Sequence, residues 1–199
     1  MNFLAHLYLA DGTEASLVGN FMGDFVKGPV EDLERRYGPE VARGLITHRQ
    51  VDAFTDSHPE FLAAKRLISP ARRRFAGIIV DLCFDHFLAR DWRRYSPDDL
   101  DTFIHGVYDV FRRNLDRFPV ASRPIVNRMM AQDWLGTYRT VEGVGAIMSR
   151  MAARRLRRGN RQFAGAVEEL ESNYAAFGAH FERFFPEVVE YVRGGRDEG

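Results

Sequence analysis

The stretch HRQVDAFTDSHP, residues 48–59, holds two histidines, two aspartates and an arginine. On a helix His48 and Asp52 stand four residues apart and share a face, with Asp56 one turn further on. A second stretch, VDLCFDHF, repeats the spacing: Asp81 and Asp85 are again i, i+4, and His86 adjoins Asp85. The helix around them is otherwise apolar, with Ile78, Ile79, Val80, Leu82, Phe84, Phe87 and Leu88. Like charges at this spacing repel by a few tenths of a kcal/mol when exposed. In an apolar interior each costs several kcal/mol unless it is paired or bound to a metal. A divalent cation removes both penalties. His6 interrupts the apolar NFLAHLYLA, and Asp24 follows LVGNFMG with Asn20 one turn before it. His6, Asp24, His48, Asp52, Asp56, Asp81, Asp85 and His86 form a mixed imidazole and carboxylate set. Such donors suit Mn²⁺, Mg²⁺, Fe or Zn²⁺, and no thiolate among them favours zinc.

Taken singly, each of these residues has a plainer reading, as a solvated aspartate or as a histidine satisfied by a backbone carbonyl. The apolar surroundings of Asp81 and Asp85 weigh most against that reading. His58, before Pro59, reads as a turn or cap residue, and His105 and His180 as ordinary amphipathic-helix residues. Arg49 is either solvated or a phosphate clamp beside a metal. Cys83, between apolar neighbours, reads as a small buried hydrophobe.

The elements that must carry these residues are helical nearly throughout. TEASLVGNFMGDFV has a cap at Thr13 and apolar residues at Leu17, Val18, Phe21, Met22 and Phe25, the recurrence of an amphipathic helix. Pro39 marks the first turn of the helix that carries His48. Ser57 is the expected cap of the next helix, and Ser69 with Pro70 the expected start of the one that carries Asp81. Ser96, Pro97 and Asp99 form a capping-box pattern. Further helices are expected over about 122–134 and 141–157, and Pro186 marks a break or kink in the last one. No strand alternation, repeat or long linker interrupts this, so the expected architecture is a single all-α multi-helix bundle over 1–193 with a disordered tail over 194–199. A bundle can converge side chains from several helices into its core.

Composition narrows the function. The chain has 199 residues, 45% of them hydrophobic, with 28 Lys and Arg against 28 Asp and Glu. About 70% of the unfolded surface can be buried at this size, so a core forms without staples. A single cysteine forms no internal disulfide. The N-terminus lacks a basic leader, no run of 18 apolar residues spans a membrane, and a cytoplasmic protein is expected. Arginines cluster at 72–74 and at Arg150, Arg154, Arg155, Arg157, Arg158 and Arg161. The second cluster reads either as a solvated helix end or as a docking patch for an anionic partner. Aromatics do not interleave with it and the net charge is zero, which argues against nucleic acid and leaves an acidic protein or a phosphorylated cofactor.

MNFLAHLYLA, GNFMGDFVKG, HRQVDAFTDSHP and DLCFDHFLARDW, followed by DWLGTYR and RMAARRL, together resemble the acyl carrier protein phosphodiesterase family over most of the chain. The resemblance implies an all-helical fold distantly related to HD-type metal-dependent phosphohydrolases. It implies hydrolysis of the 4′-phosphopantetheine arm from holo acyl carrier protein, in lipid metabolism and fatty acid biosynthesis, with a divalent cation, typically Mn²⁺, with Mg²⁺ or Fe²⁺ as alternatives. It carries the motif roles to His6, Asp24, His48, Arg49, Asp52, Asp56, Asp81, Asp85 and His86. Two departures stand out. Tyr8 occupies a place where members often have a second histidine, and Asp85-His86 reverses the His-Asp doublet of HD enzymes.

The expected mechanism has a metal held by some of Asp24, His48, Asp52, Asp81 and Asp85, with His6, Asp56 or His86 as outer ligand or proton carrier. Arg49 stabilises charge on the phosphoryl group. Arg150, Arg154, Arg155, Arg157 and Arg158 seat the acidic carrier. Two other functions fit the same residues: a phosphohydrolase of nucleotides or small phosphoesters, and a non-catalytic helical module that binds an acidic protein.

Overall fold

The local chemistry of helix starts explains most element boundaries in the computed structural model, which describes residues 1–155, 163 and 165–197. After the short α1 (Phe3–Tyr8), Thr13 is extended and its hydroxyl accepts from the Ser16 amide, opening α2 (Glu14–Met22). α3 (Val30–Tyr37) ends at Gly38, whose φ of 82° only glycine adopts readily. α4 (Pro39–Ser57) follows, with proline in its first position as expected.

Three expected caps are corrected. Ser57 finishes α4, its hydroxyl donating to the Phe54 carbonyl at 3.1 Å, and His58 caps α5 (Pro59–Leu67) by accepting from the Glu60 amide at 3.2 Å. Ser69 opens a 3₁₀ turn over Pro70–Phe75 rather than an α-helix. Its hydroxyl is drawn off to Glu169 at 2.5 Å, and α6 (Ala76–Arg90) starts only after the turn. α7 (Leu100–Arg113) is capped by Asp99, which accepts from the Thr102 amide at 2.7 Å, not by Ser96. α8 (Arg123–Ala131), α9 (Val141–Arg155), α10 (Val167–Ser172) and α11 (Tyr174–Asp197) complete the described chain, and none of the described residues forms a strand. The fold is all-α.

α11 runs through Pro186 and on past residue 193 to Asp197. Pro186 and Glu182, whose carbonyl the proline cannot bond, are both exposed, so the missing helix bond falls on the solvent side.

The helices group into two compact units. One comprises Phe3–Ala53 and Trp92–Gly136. Here α2 packs against α1 and α7, and Phe21 lies 4.8 Å from Phe111 and 5.8 Å from Phe118 between ring centroids. α2 also crosses α4 closely: a Cβ on Gly19 would stand 2.3 Å from the Val41 carbonyl and 2.8 Å from the Gly44 Cα. Only glycine at both positions lets the two backbones meet.

The other unit comprises Met1–Asn2, Phe54–Asp91 and Thr137–Gly199. α11 packs on α5 and α6 with Phe177, Phe181, Phe184, Phe185 and Val188 fully buried, a helical stripe. Phe184 meets the rings of Phe84 at 5.3 Å and His58 at 5.0 Å. Glu169 is buried and satisfied by Ser69 and by Arg72, whose Nη1 lies 3.1 Å away. Cys83 is a buried free thiol whose pKa burial pushes far up, consistent with an inert hydrophobe.

Candidate metal centre

Two helices of the first unit bring together His6 of α1 and His48 and Asp52 of α4. His6 Nε2 lies 3.0 Å from Asp52 Oδ1, and His48 Nε2 lies 3.2 Å from Asp52 Oδ2. One carboxylate thus faces both imidazoles, one oxygen each. The two rings stack with centroids 3.8 Å apart and planes 20° apart. The other face of His48 rests on the end of α2, where a Cβ on Gly23 would come within 2.2 Å of the ring. His48 is therefore clamped between an imidazole and a glycine. Asp24, next to Gly23, places Oδ1 4.0 Å from His48 Nε2.

Both imidazoles are buried, His6 at 2% exposure and His48 at 3%, while the Asp52 side chain keeps 45% of its surface in solvent. Burial holds His6 neutral, lowering its pKa from 6.5 to about 3, against the opposing hydrogen bond to Asp52. Burial disfavours the Asp52 anion, but the hydrogen bonds to His48 and His6 outweigh it and hold the carboxyl well below the usual carboxylate range. The state at neutral pH is a carboxylate beside neutral imidazole, which is what metal ligation requires.

Among the described residues, His6, His48 and Asp52 are the group whose ligand atoms converge, all within 4.8 Å of one another. Burying polar atoms without partners is costly, and the buried Nδ1 atoms of His6 and His48 and Oδ1 of Asn20 have no hydrogen-bond partner. A donor set of two imidazoles and a carboxylate, open to solvent on the carboxylate side, fits a divalent cation with positions left for water or substrate.

The remaining expected site residues sit as follows. Arg49 donates from Nη1 to the Gly28 carbonyl at 2.8 Å. Asp56 is exposed near the end of α4. Asp81 and Asp85 belong to the second unit, where they hold the segment ahead of α1: the Met1 nitrogen lies 2.9 Å from Asp81 Oδ1, and the Asn2 amide donates to Asp85 Oδ1 at 3.2 Å. His86 donates from Nδ1 to the Tyr138 carbonyl at 2.9 Å and accepts at Nε2 from the Tyr174 hydroxyl at 2.9 Å, the tautomer that this pairing requires. Burial lowers its pKa, so it too is neutral. Tyr8 donates to the Tyr95 carbonyl at 2.7 Å, a structural bond. Of the arginine cluster, Arg150 is half-buried on α9, Arg154 and Arg155 end that helix, and Arg157 and Arg158 lie outside the described residues.

Spacing alone did not single out Gly23, Asn2 or Tyr138. Gly23 seats His48. The Tyr138 hydroxyl donates to Asn2 Oδ1 at 2.8 Å, joining the first residues to the His86 network. All three lie inside the family-like stretches GNFMGDFVKG, MNFLAHLYLA and DWLGTYR, so motif membership was the one signal that reached them.

The family model for acyl carrier protein phosphodiesterase matches residues 1–188. The chain belongs to the acyl carrier protein phosphodiesterase family. Curated family members of that name are similar over nearly their whole length. One from Photorhabdus laumondii is 36% identical over 191 residues, 96% of this chain and 94% of the relative. One from Pectobacterium atrosepticum is 34% identical over 97% of this chain and 98% of the relative. One from Escherichia coli O157:H7 is 34% identical over 95% and 96%. No solved structure matches the chain. Among the described residues of this family member, no helix is long and apolar enough to cross a membrane.

Proposed function

We propose that this chain is a divalent-metal phosphodiesterase that releases 4′-phosphopantetheine from holo acyl carrier protein and leaves the apo-carrier. The observation that carries the reading is the convergence of His6, His48 and Asp52 in a member of this family. His6, His48 and Asp52 would hold the ion, with Asp24 the next carboxylate at hand. A bound ion supplies a water of lowered pKa and neutralises phosphoryl charge. Mn²⁺ is the proposed metal, with Mg²⁺ and Fe²⁺ as alternatives that the same donors accept.

The chain's own residues do the rest. Burial keeps the His6 imidazole neutral, the charge state that ligation requires. The clamp between His6 and Gly23 fixes the His48 ring, so that no rotamer search precedes binding. Arg49 spends one donor on the Gly28 carbonyl and offers the rest of its fork to a phosphoryl oxygen. Asp56, exposed one turn beyond Asp52, is the proposed proton carrier to and from solvent. We assign Asp85 and His86 to organising the second unit rather than to the ion, because the partners above engage them, and Asp81 to the Met1 nitrogen with which it pairs. Arg150, Arg154, Arg155, Arg157 and Arg158 are the proposed seat of the acidic carrier, in the setting of cytoplasmic fatty acid biosynthesis.

The test is the mass of purified holo-carrier before and after incubation with the protein and Mn²⁺. Loss of the phosphopantetheine group, abolished by chelation and restored by Mn²⁺, is expected. An unchanged carrier mass, with turnover of a nucleotide instead, would replace this reading.

A further inference from the structure

The turn that closes α2 offers carbonyls to two cations, its own Lys27 and Arg49 of α4. Lys27 donates from Nζ to the carbonyl of Gly23, the residue on which the His48 ring rests, at 3.4 Å. Gly28, at a φ of 133°, bends the chain so that its carbonyl accepts from Arg49, the residue after His48. Asp24 opens the same turn, with Oδ1 4.0 Å from His48 Nε2. A lysine near a helix C-terminus is ordinary as a cap. This one differs in its company: it is anchored to the seat of one triad histidine, on the turn that also anchors Arg49. Its bond is long, and an ammonium has three donors.

A phosphodiester spreads one negative charge over two non-bridging oxygens. A single ion and Arg49 leave room for a further cation there, and the need grows as the reaction proceeds. Water adds to phosphorus, the bond from phosphorus to the serine oxygen breaks, and that oxygen takes a proton. The released monoester then carries more charge than the diester did. We propose that Lys27 binds a non-bridging phosphoryl oxygen alongside Arg49, as a substrate-contacting residue. The proposal rests on the phosphodiesterase reading of the triad.

Calorimetric titration of inorganic phosphate into the Mn²⁺-loaded protein tests it, for wild type, Lys27→Met and Lys27→Arg, with Mn²⁺ affinity measured on each. Lys27→Met is expected to weaken phosphate at least tenfold while Mn²⁺ affinity stays within threefold, and Lys27→Arg to recover most of the loss. Unchanged phosphate affinity in Lys27→Met, or no phosphate binding by wild type, overturns the proposal. So does a loss matched by an equal loss of Mn²⁺ affinity, which makes Lys27 a cap of α2 only. Failure of the phosphodiesterase reading shows separately, as absent pantetheine release by wild type.

Discussion

Gly23→Ala isolates the clamp on His48. The backbone at Gly23 is right-handed helical, with φ −53° and ψ −33°, so alanine fits the conformation. In an open position that change stabilises by about 0.4–1 kcal/mol through the unfolded state. Here the new Cβ stands 2.2 Å from His48 Cγ and Cδ2, where ordinary contact begins at 3.4 Å. The ring has to retreat by roughly 1 Å, about the step at which a packed contact turns repulsive. Retreat is blocked by the His6 ring, 3.8 Å away between centroids. Overpacking of this kind costs about 1–3 kcal/mol, so the net effect is a destabilisation of roughly 1–2 kcal/mol. Tilting His48 also spoils its alignment with Asp52, and loss of ligand support lowers metal affinity by about 10–100-fold. Thermal melts without metal and Mn²⁺ titration of the folded variant read the two effects. A variant that melts higher than wild type and binds Mn²⁺ equally well would refute the clamp, because the glycine would then be an ordinary helix residue.

Other expectations are simpler. Below pH 6.5 the unfolded chain takes up a proton at His6 that the folded chain refuses until about pH 3, so metal-free stability falls as pH drops through this window, by up to roughly 5 kcal/mol. Denaturation of wild type and His6→Gln across that range should give converging curves, and parallel curves would reject a neutral buried His6. Phe184→Ala empties a site ringed by Phe54, Phe61 and Phe84 and should cost about 3–5 kcal/mol, read as a lower denaturation midpoint at an unchanged slope. Reversing the charge of Arg154, Arg155 and Arg158 should raise KM for holo-carrier most at low salt, since long-range charge attraction is screened over about 8 Å at physiological ionic strength. A KM that ignores both charge and salt would remove these arginines from carrier docking.

The helices were legible because their apolar residues recur with helical period and their starts carry recognisable caps, such as Thr13 and Asp99. Two of the three triad residues were legible for the same reason: His48 and Asp52 need only helical spacing to share a face. His6 stood out as a polar interruption of an apolar helix. The same spacing at Asp81 and Asp85 pointed to a cation, and in the structure the nitrogens of Met1 and Asn2 come within 2.9 and 3.2 Å of them. Spacing reports which residues share a face, not which distant backbone nitrogen comes to meet them. Ser69 shows the limit for caps, because a buried Glu169 one hundred residues away competes for its hydroxyl. Gly23 shows the limit for ligand positioning. Its role depends on an atom it lacks and on a ring from another helix, and neither leaves a local pattern.

Pulsed electron paramagnetic resonance of the Mn²⁺-loaded protein looks at the two imidazoles themselves. The account predicts nitrogen couplings from two histidines, with one lost in His6→Ala and one in His48→Ala. A Mn²⁺ signal without nitrogen coupling, in protein that still strips the arm from holo-carrier, would contradict it.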